Sequence, residues 1–216
     1  GVDALTSNRV TAGDAIQLRP QLRDQFGNAS AAEPGTFTAH IECPDGRHEL
    51  ELRQLKGLGL YEVMYEVSIK GSHSIHFLLN GADISGSPVE FPVSPAAALG
   101  SKSRLHAPNE PPIINQPCVL ILEAIDKFGN KLETGGCRID ARANGPGVSA
   151  CTPEDLNDGT YTVTFSAAVV GETRVIVRLD NVEMAPMKLL FVAPAEEAGA
   201  GGGGGKRTKG KDARGS

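Results

Sequence analysis

The sequence predicts an all-β chain: two small β-sandwiches in tandem, followed by a tail without regular structure. Three observations predict it. Apolar and polar residues alternate along Tyr61, Val63, Tyr65 and Val67, and again along His73, Ile75, Phe77 and Leu79 after Gly71. Period two means a strand with one face on a core. The pattern then returns about a hundred residues later. Gly159-Thr160-Tyr161-Thr162-Val163-Thr164-Phe165 is followed by Gly171, Val175, Val177 and Leu179, and the run Asp24-Gln25-Phe26-Gly27-Asn28 reappears as Asp126-Lys127-Phe128-Gly129-Asn130. Two motifs repeated at nearly the same offset mark a duplication. Lastly, turn residues recur about every 8–12 positions and no convincing amphipathic helix of about ten or more residues appears.

Each element follows in order. Val2–Val10 reads as a first strand. After the Gly13-Asp14 turn, Ile16, Leu18 and Leu22 mark a second strand ending at Asp24, and Gln25–Asn28 turns the chain. Phe37, Ala39 and Ile41 alternate with Thr38, His40 and Glu42 in a third strand. Pro44-Asp45-Gly46 is a turn, because Pro presets φ and Asp-Gly tolerates the left-handed corner. Leu50 and Leu52 mark a fourth strand. The two alternating runs above are the fifth and sixth, and Val89, Phe91 and Val93 a seventh. Seven short strands in under about a hundred residues is the count of one immunoglobulin-like sandwich. Ser94–Gly100 is a linker. In the second module Pro117–Asp126 is the second strand, Arg138–Ala143 the third and Val148–Thr152 a short fourth. Thr160–Ser166, Glu172–Asp180 and Met187–Val192 complete it. The division is therefore 1–95, 96–194 and a Gly-rich basic tail, 195–216.

Charge and cysteine use narrow the function classes. The net charge is −5, yet the stretch from Gly199 to Ser216 alone carries Lys206, Arg207, Lys209, Lys211 and Arg214 against Asp212. The tail is a solubilising linker in character, and nucleic acid is not expected as a partner. No apolar run approaches the roughly 20 residues that span a membrane, and no signal peptide is read. The first residue is Gly rather than Met, as in a fragment of a longer chain. Cys43, Cys118, Cys137 and Cys151 fit neither a sandwich disulfide pair nor a zinc spacing; they read as free thiols in a reducing compartment.

At this point the residues carry a resemblance. Asp-x-Phe-Gly-Asn at 24–28, Gly-x-Tyr-x-Val-x-Tyr at 59–65, Gly-x-His-x-Ile at 71–75 and Ile-x-Gly-Ser-Pro-x-x-Phe at 84–91 resemble the filamin repeat. The second module matches less closely: Glu183-Met184-Ala185-Pro186 stands where Ile-x-Gly-Ser-Pro would be, and Thr173 replaces the aromatic or His. The resemblance covers about 1–193. It implies Greek-key sandwiches in a non-catalytic scaffold of the actin cytoskeleton, in the cytoplasm, with actin-linked proteins reached through other parts of a longer chain. The alternative is an extracellular adhesion module at the cell surface carrying similar repeats, to which the sequon Asn28-Ala29-Ser30 lends support.

No catalytic, cofactor or metal constellation is read. There is no Gly-x-Ser-x-Gly, phosphate loop or His-Glu-x-x-His, and His73 and His76 point to opposite faces of one strand. Asp24 and Asp126 each close a turn. The remaining candidate is a sheet edge, where an extended peptide pairs with unsatisfied backbone groups. The resemblance places it along the third strand and the groove to the fourth. Thr36, Thr38, His40, Glu42, Leu50 and Leu52 are therefore the expected partner-binding residues. Arg138, Asp140 and Arg142 give the equivalent strand of the second module an alternating charge that guards an edge, so no strand is expected to add there.

Overall fold

The structure is a computed structural model that describes residues 10–195. Val2–Val10 as a first strand lies outside the described residues except for its last member, as does the tail beyond residue 195.

Module one opens with β1 (Val10–Thr11) and β2 (Ala15–Leu18), continues through β3 (Phe37–Cys43), β4 (Gly46–Leu50), β5 (Arg53–Gln54), β6 (Tyr61–Glu66), β7 (Gly71–Leu79) and β8 (Ala82–Asp83), and ends with β9 (Val89–Ser94). One sheet runs β1-β9-β7-β3-β4, with β8 also on β7; the other is β2-β6-β5. β1 and β9 pair in parallel, Val10 opposite Val93. The sheets meet over Ile16, Leu18, Val63, Ile41, Ile75 and Phe77, all buried, while Tyr61 is half-buried at the margin. His73 also faces inward, stacked on Phe91 with centroids 5.6 Å apart. Glu62 points the other way yet is covered, because Arg53, Arg19 and Gln17 close over it.

Module two comprises β10 (Arg104–His106), β11 (Cys118–Glu123), β12 (Ile139–Asn144), β13 (Thr152–Asp155), β14 (Thr160–Phe165), β15 (Gly171–Leu179), β16 (Val182–Glu183) and β17 (Met187–Phe191). One sheet is β10-β11-β14-β13; in the other, β15 pairs with β12, β16 and β17. Leu120, Leu122, Tyr161, Val163, Val175, Val177 and Phe191 form a second core. The fourth strand falls at Thr152–Asp155 rather than at Val148–Thr152. Val148 makes only a single bridge, to Ala167, because Gly145-Pro146-Gly147 carries the chain across to the other sheet before pairing resumes.

The turn after strand two is built alike in both modules. The Asp24 carboxylate accepts the amides of Phe26 and Asn28 at 2.9 Å each, and Asp126 accepts those of Phe128 and Asn130 at 2.9 and 2.8 Å. Such side-chain-to-backbone bonds are what fits Asp to a tight turn. Gly59 and Gly159 lie beneath it. A Cβ on either would stand 1.9 Å from Ser30 O or 2.1 Å from Leu132 O, so only Gly is accommodated.

Candidate functional site: the sheet edges

The expected edge in module one is not an edge. β3 lies inside its sheet, paired with β7 over Phe37–Glu42 and with β4 over Ala39–Cys43. The cause is local. Pro44-Asp45 make a two-residue connection, Gly46 takes φ 127°, and Cys43 pairs back with Gly46. The chain therefore folds back as a hairpin and crosses to the second sheet only after Leu50. Thr36 sits just before β3 and is half-buried. Thr38, His40 and Glu42 face outward on β3, and Leu50 and Leu52 pack on the module-one core. The unpaired side of this sheet belongs to β4, whose Arg47 and Glu49 bond to each other at 2.8 Å across its outward face.

On that outward face His40 stands opposite His76, and their rings stack in parallel with centroids 4.7 Å apart. His40 is only 4% exposed. Burial pushes its pKa below the ordinary value, helped by the Arg47 and His76 charges, so it is neutral near pH 7. His76 Nδ1 lies 3.1 Å from Asp83 Oδ1, which also accepts Ser87 Oγ–H at 2.6 Å. The Ser87 hydroxyl, before any other contact, holds the Asp83 carboxyl below the usual range. His40, Glu42 and His76 bring three potential ligand atoms within 4.8 Å of one another. In parallel rings, however, the in-plane lone pairs do not converge on one point. Cys43, Asp45 and His48 gather likewise at the β3–β4 hairpin. Burial and the neighbouring Asp45 raise the Cys43 thiol to about 11, leaving it a donor to Asp45 rather than a thiolate ligand.

Module two holds what module one lacks. β12 pairs with β15 alone, over Ile139–Asn144, and its other side carries no strand among the described residues. Beneath that side Ile139, Ala141, Ala143, Cys137 and Cys151 pack on the core but are only half-buried. Their module-one counterparts Phe37, Ala39 and Ile41 are buried. The result is a backbone edge over an apolar floor. Asp140 and Arg142 do not guard it. They project from the outward sheet face, 3.8 Å apart, beside Ile176 and Arg178. Alternation along a strand reports the face and not the rim, which is why this edge was missed. The available signal was the loop Asn144-Gly145-Pro146-Gly147, which lacks the short Pro-Asp-Gly hairpin of module one.

These features define a class: a tandem of immunoglobulin-like β-sandwiches with an open third-strand edge. No family model matches the chain. It is 26% identical over 149 residues to filamin-C of Rattus norvegicus, a match that covers 69% of this chain and 5% of that protein. Over that stretch its sandwiches resemble filamin-type immunoglobulin-like repeats. One solved structure is similar in fold and a second matches more weakly. InvD of Yersinia pseudotuberculosis matches over 88% of this chain and 56% of its own, at 20% identity and a TM-score of 0.50. The Escherichia coli adhesin FdeC matches over 89% of this chain and 64% of its own, at 20% identity and a TM-score of 0.49. Among the described residues no helix is long and apolar enough to cross a membrane.

Proposed function

We propose that the chain is a non-catalytic interaction module that captures an extended peptide of a partner protein as an added strand along β12 of module two. The observation that carries this reading is the unpaired edge of β12 above the half-buried Ile139, Ala141 and Ala143. Main-chain bonds to the edge supply affinity, and alternate peptide side chains entering the apolar floor supply specificity. Module one supports the reading by contrast, since β4 already occupies the equivalent place. Peptides selected from a random display library against the whole chain test it. Binders should alternate apolar and polar residues, shift the amide resonances of 139–144, and lose affinity at least tenfold on Ala141→Arg. Binders that instead shift only 46–50, or are indifferent to Ala141→Arg, would reject the site.

A cytoskeletal scaffold is the setting that the filamin likeness supports. An adhesion module at the cell surface is the second reading, favoured by one feature: Asn28 of the sequon is exposed. Glycosidase sensitivity of the protein from its own cells separates the two.

A further inference from the structure

The Asp-x-Phe-Gly-Asn turn is made twice and seated once. In module two it docks on the end of module one. Asn130 bridges two peptide groups there: its Nδ2 donates to Ser68 O at 2.8 Å, and its Oδ1 accepts from Lys70 N at 3.0 Å. Phe128 packs on the module-one core, with its ring 3.2 Å from where a Cβ on Gly13 would be. Asp126 Oδ2 takes the Ala96 amide of the linker at 2.9 Å. In module one the same turn has the same internal bonds, yet Phe26 is 79% exposed, and among the described residues Asn28 Nδ2 reaches only Asp24.

The receiving end also exists twice. Ser68, Ile69 and Lys70 correspond to Ala168, Val169 and Val170, just before Gly71 and Gly171. Gly13 corresponds to Asn115. The Gly13 amide donates to Val67 O at 2.6 Å and the Asn115 amide to Ala167 O at 2.8 Å, and both residues have positive φ, 100° and 61°. Ile69 and Lys70 are half-buried, whereas Val169 and Val170 are each 49% exposed. Neither Ala168 O nor Val170 N has a hydrogen-bond partner among the described residues.

We propose that these two open halves join between molecules: the Phe26 turn of one chain seats on the Ala168–Val170 end of a second copy. Asn28 then bridges Ala168 O and Val170 N as Asn130 bridges Ser68 O and Lys70 N. A second copy is the occupant because the chain already holds this plug and this socket together once, and leaves one of each free at opposite ends. One steric difference is the Cβ of Asn115; a Cβ at the equivalent Gly13 would stand 3.2 Å from the Phe128 ring, a distance that a shift of a few tenths of an ångström relieves. The contact is heterologous and does not close on itself, so it generates a linear series. It lacks the tether that raises the local concentration within the chain, so it is weaker than its internal twin.

Sedimentation velocity on the whole chain from micromolar to millimolar concentration tests this. The expected result is a concentration-dependent monomer–dimer–trimer series. Phe26→Asp blocks the plug and Val170→Asp the socket, and each variant alone should stay monomeric with an unchanged melting temperature. Mixed in equal amounts, they should form dimers and nothing longer, since one good plug and one good socket remain. A wild-type chain that stays monomeric throughout overturns the proposal and leaves the turn for a different sandwich. Association that survives either variant, or a mixture that fails to dimerise, overturns it as well.

Discussion

Modules one and two share a strand plan and differ in what they leave uncovered. In module one the third strand is enclosed by β4, and the turn after strand two stands bare. In module two the third strand is open, and the turn is seated at the junction with Asp126 and Asn130 buried. Neither difference arises in the core, where Ile75 and Phe77 match Val175 and Val177 in place. Both come from connecting segments: a two-residue hairpin against a Gly-Pro-Gly crossing, and a turn seated on the other sandwich against one that, among the described residues, is not. Duplicated sandwiches thus keep their interior and diverge at their rims.

A series of phenylalanine truncations sharpens that contrast. Phe77, fully buried, should lose about 3–5 kcal/mol on Phe77→Ala. For a domain of this size that lowers the melting temperature by more than about 10 °C. A loss below about 1 kcal/mol would mean that the inward face is misassigned. Phe128→Ala should cost roughly 1–2 kcal/mol, because the ring is half-buried between modules and full burial of Phe is worth about 1.5–3 kcal/mol. Calorimetry should show the two modules unfolding less cooperatively in that variant. If they unfold as before, the junction contributes little.

Acid should act on the junction too. Burial pushes the Asp126 carboxyl up, but hydrogen bonds from Asn130, Ala96 and Phe128 outweigh it and set the pKa below the ordinary 3.8. A depressed carboxylate pKa gives stability that is complete above the unfolded value and is lost as pH falls through the folded value. The Ala96 amide should therefore stay protected from hydrogen exchange at pH 5 and lose protection below about pH 3.8, as should the Lys70 amide. Asp24 is lowered as well, chiefly by Asn28, but it holds no linker. Asp126→Asn should consequently destabilise more than Asp24→Asn, and equal effects would remove the distinction between the turns.

The smallest effect belongs to Phe26→Ala. With 79% of the ring in solvent, stability should change by no more than about 0.5 kcal/mol. A larger drop in dilute solution would show that the turn is already covered by the chain itself.

The fold was legible because alternation survives in the buried strands: β6, β7, β14 and β15 read directly from their apolar positions. The duplicated Asp-x-Phe-Gly-Asn gave the tandem plan for the same reason, since a turn with fixed φ requirements tolerates few residues. The site was less legible. Thr38, His40 and Glu42 were placed on the correct outward face, but periodicity along one strand carries no information about which strand lies beside it. Whether β3 or β12 is enclosed depends on Pro44-Asp45-Gly46 and Gly145-Pro146-Gly147, a few residues whose backbone angles decide the neighbour. Glu62 was missed as a covered side chain because its shelter comes from Arg19 and Arg53, far apart in sequence.

The clip between Ala96 and Asp126 has a mechanical consequence. It fastens the linker to the second sandwich, so a pull along the chain meets this clip and the Asn130 bridge before it loads any sheet. When they part, the residues 95–98, between the end of β9 and the Leu99–Ile125 hydrogen bond, can straighten to at most about 14 Å. The tandem therefore carries a short reserve of length that yields under tension and re-forms on relaxation, with both sandwiches intact.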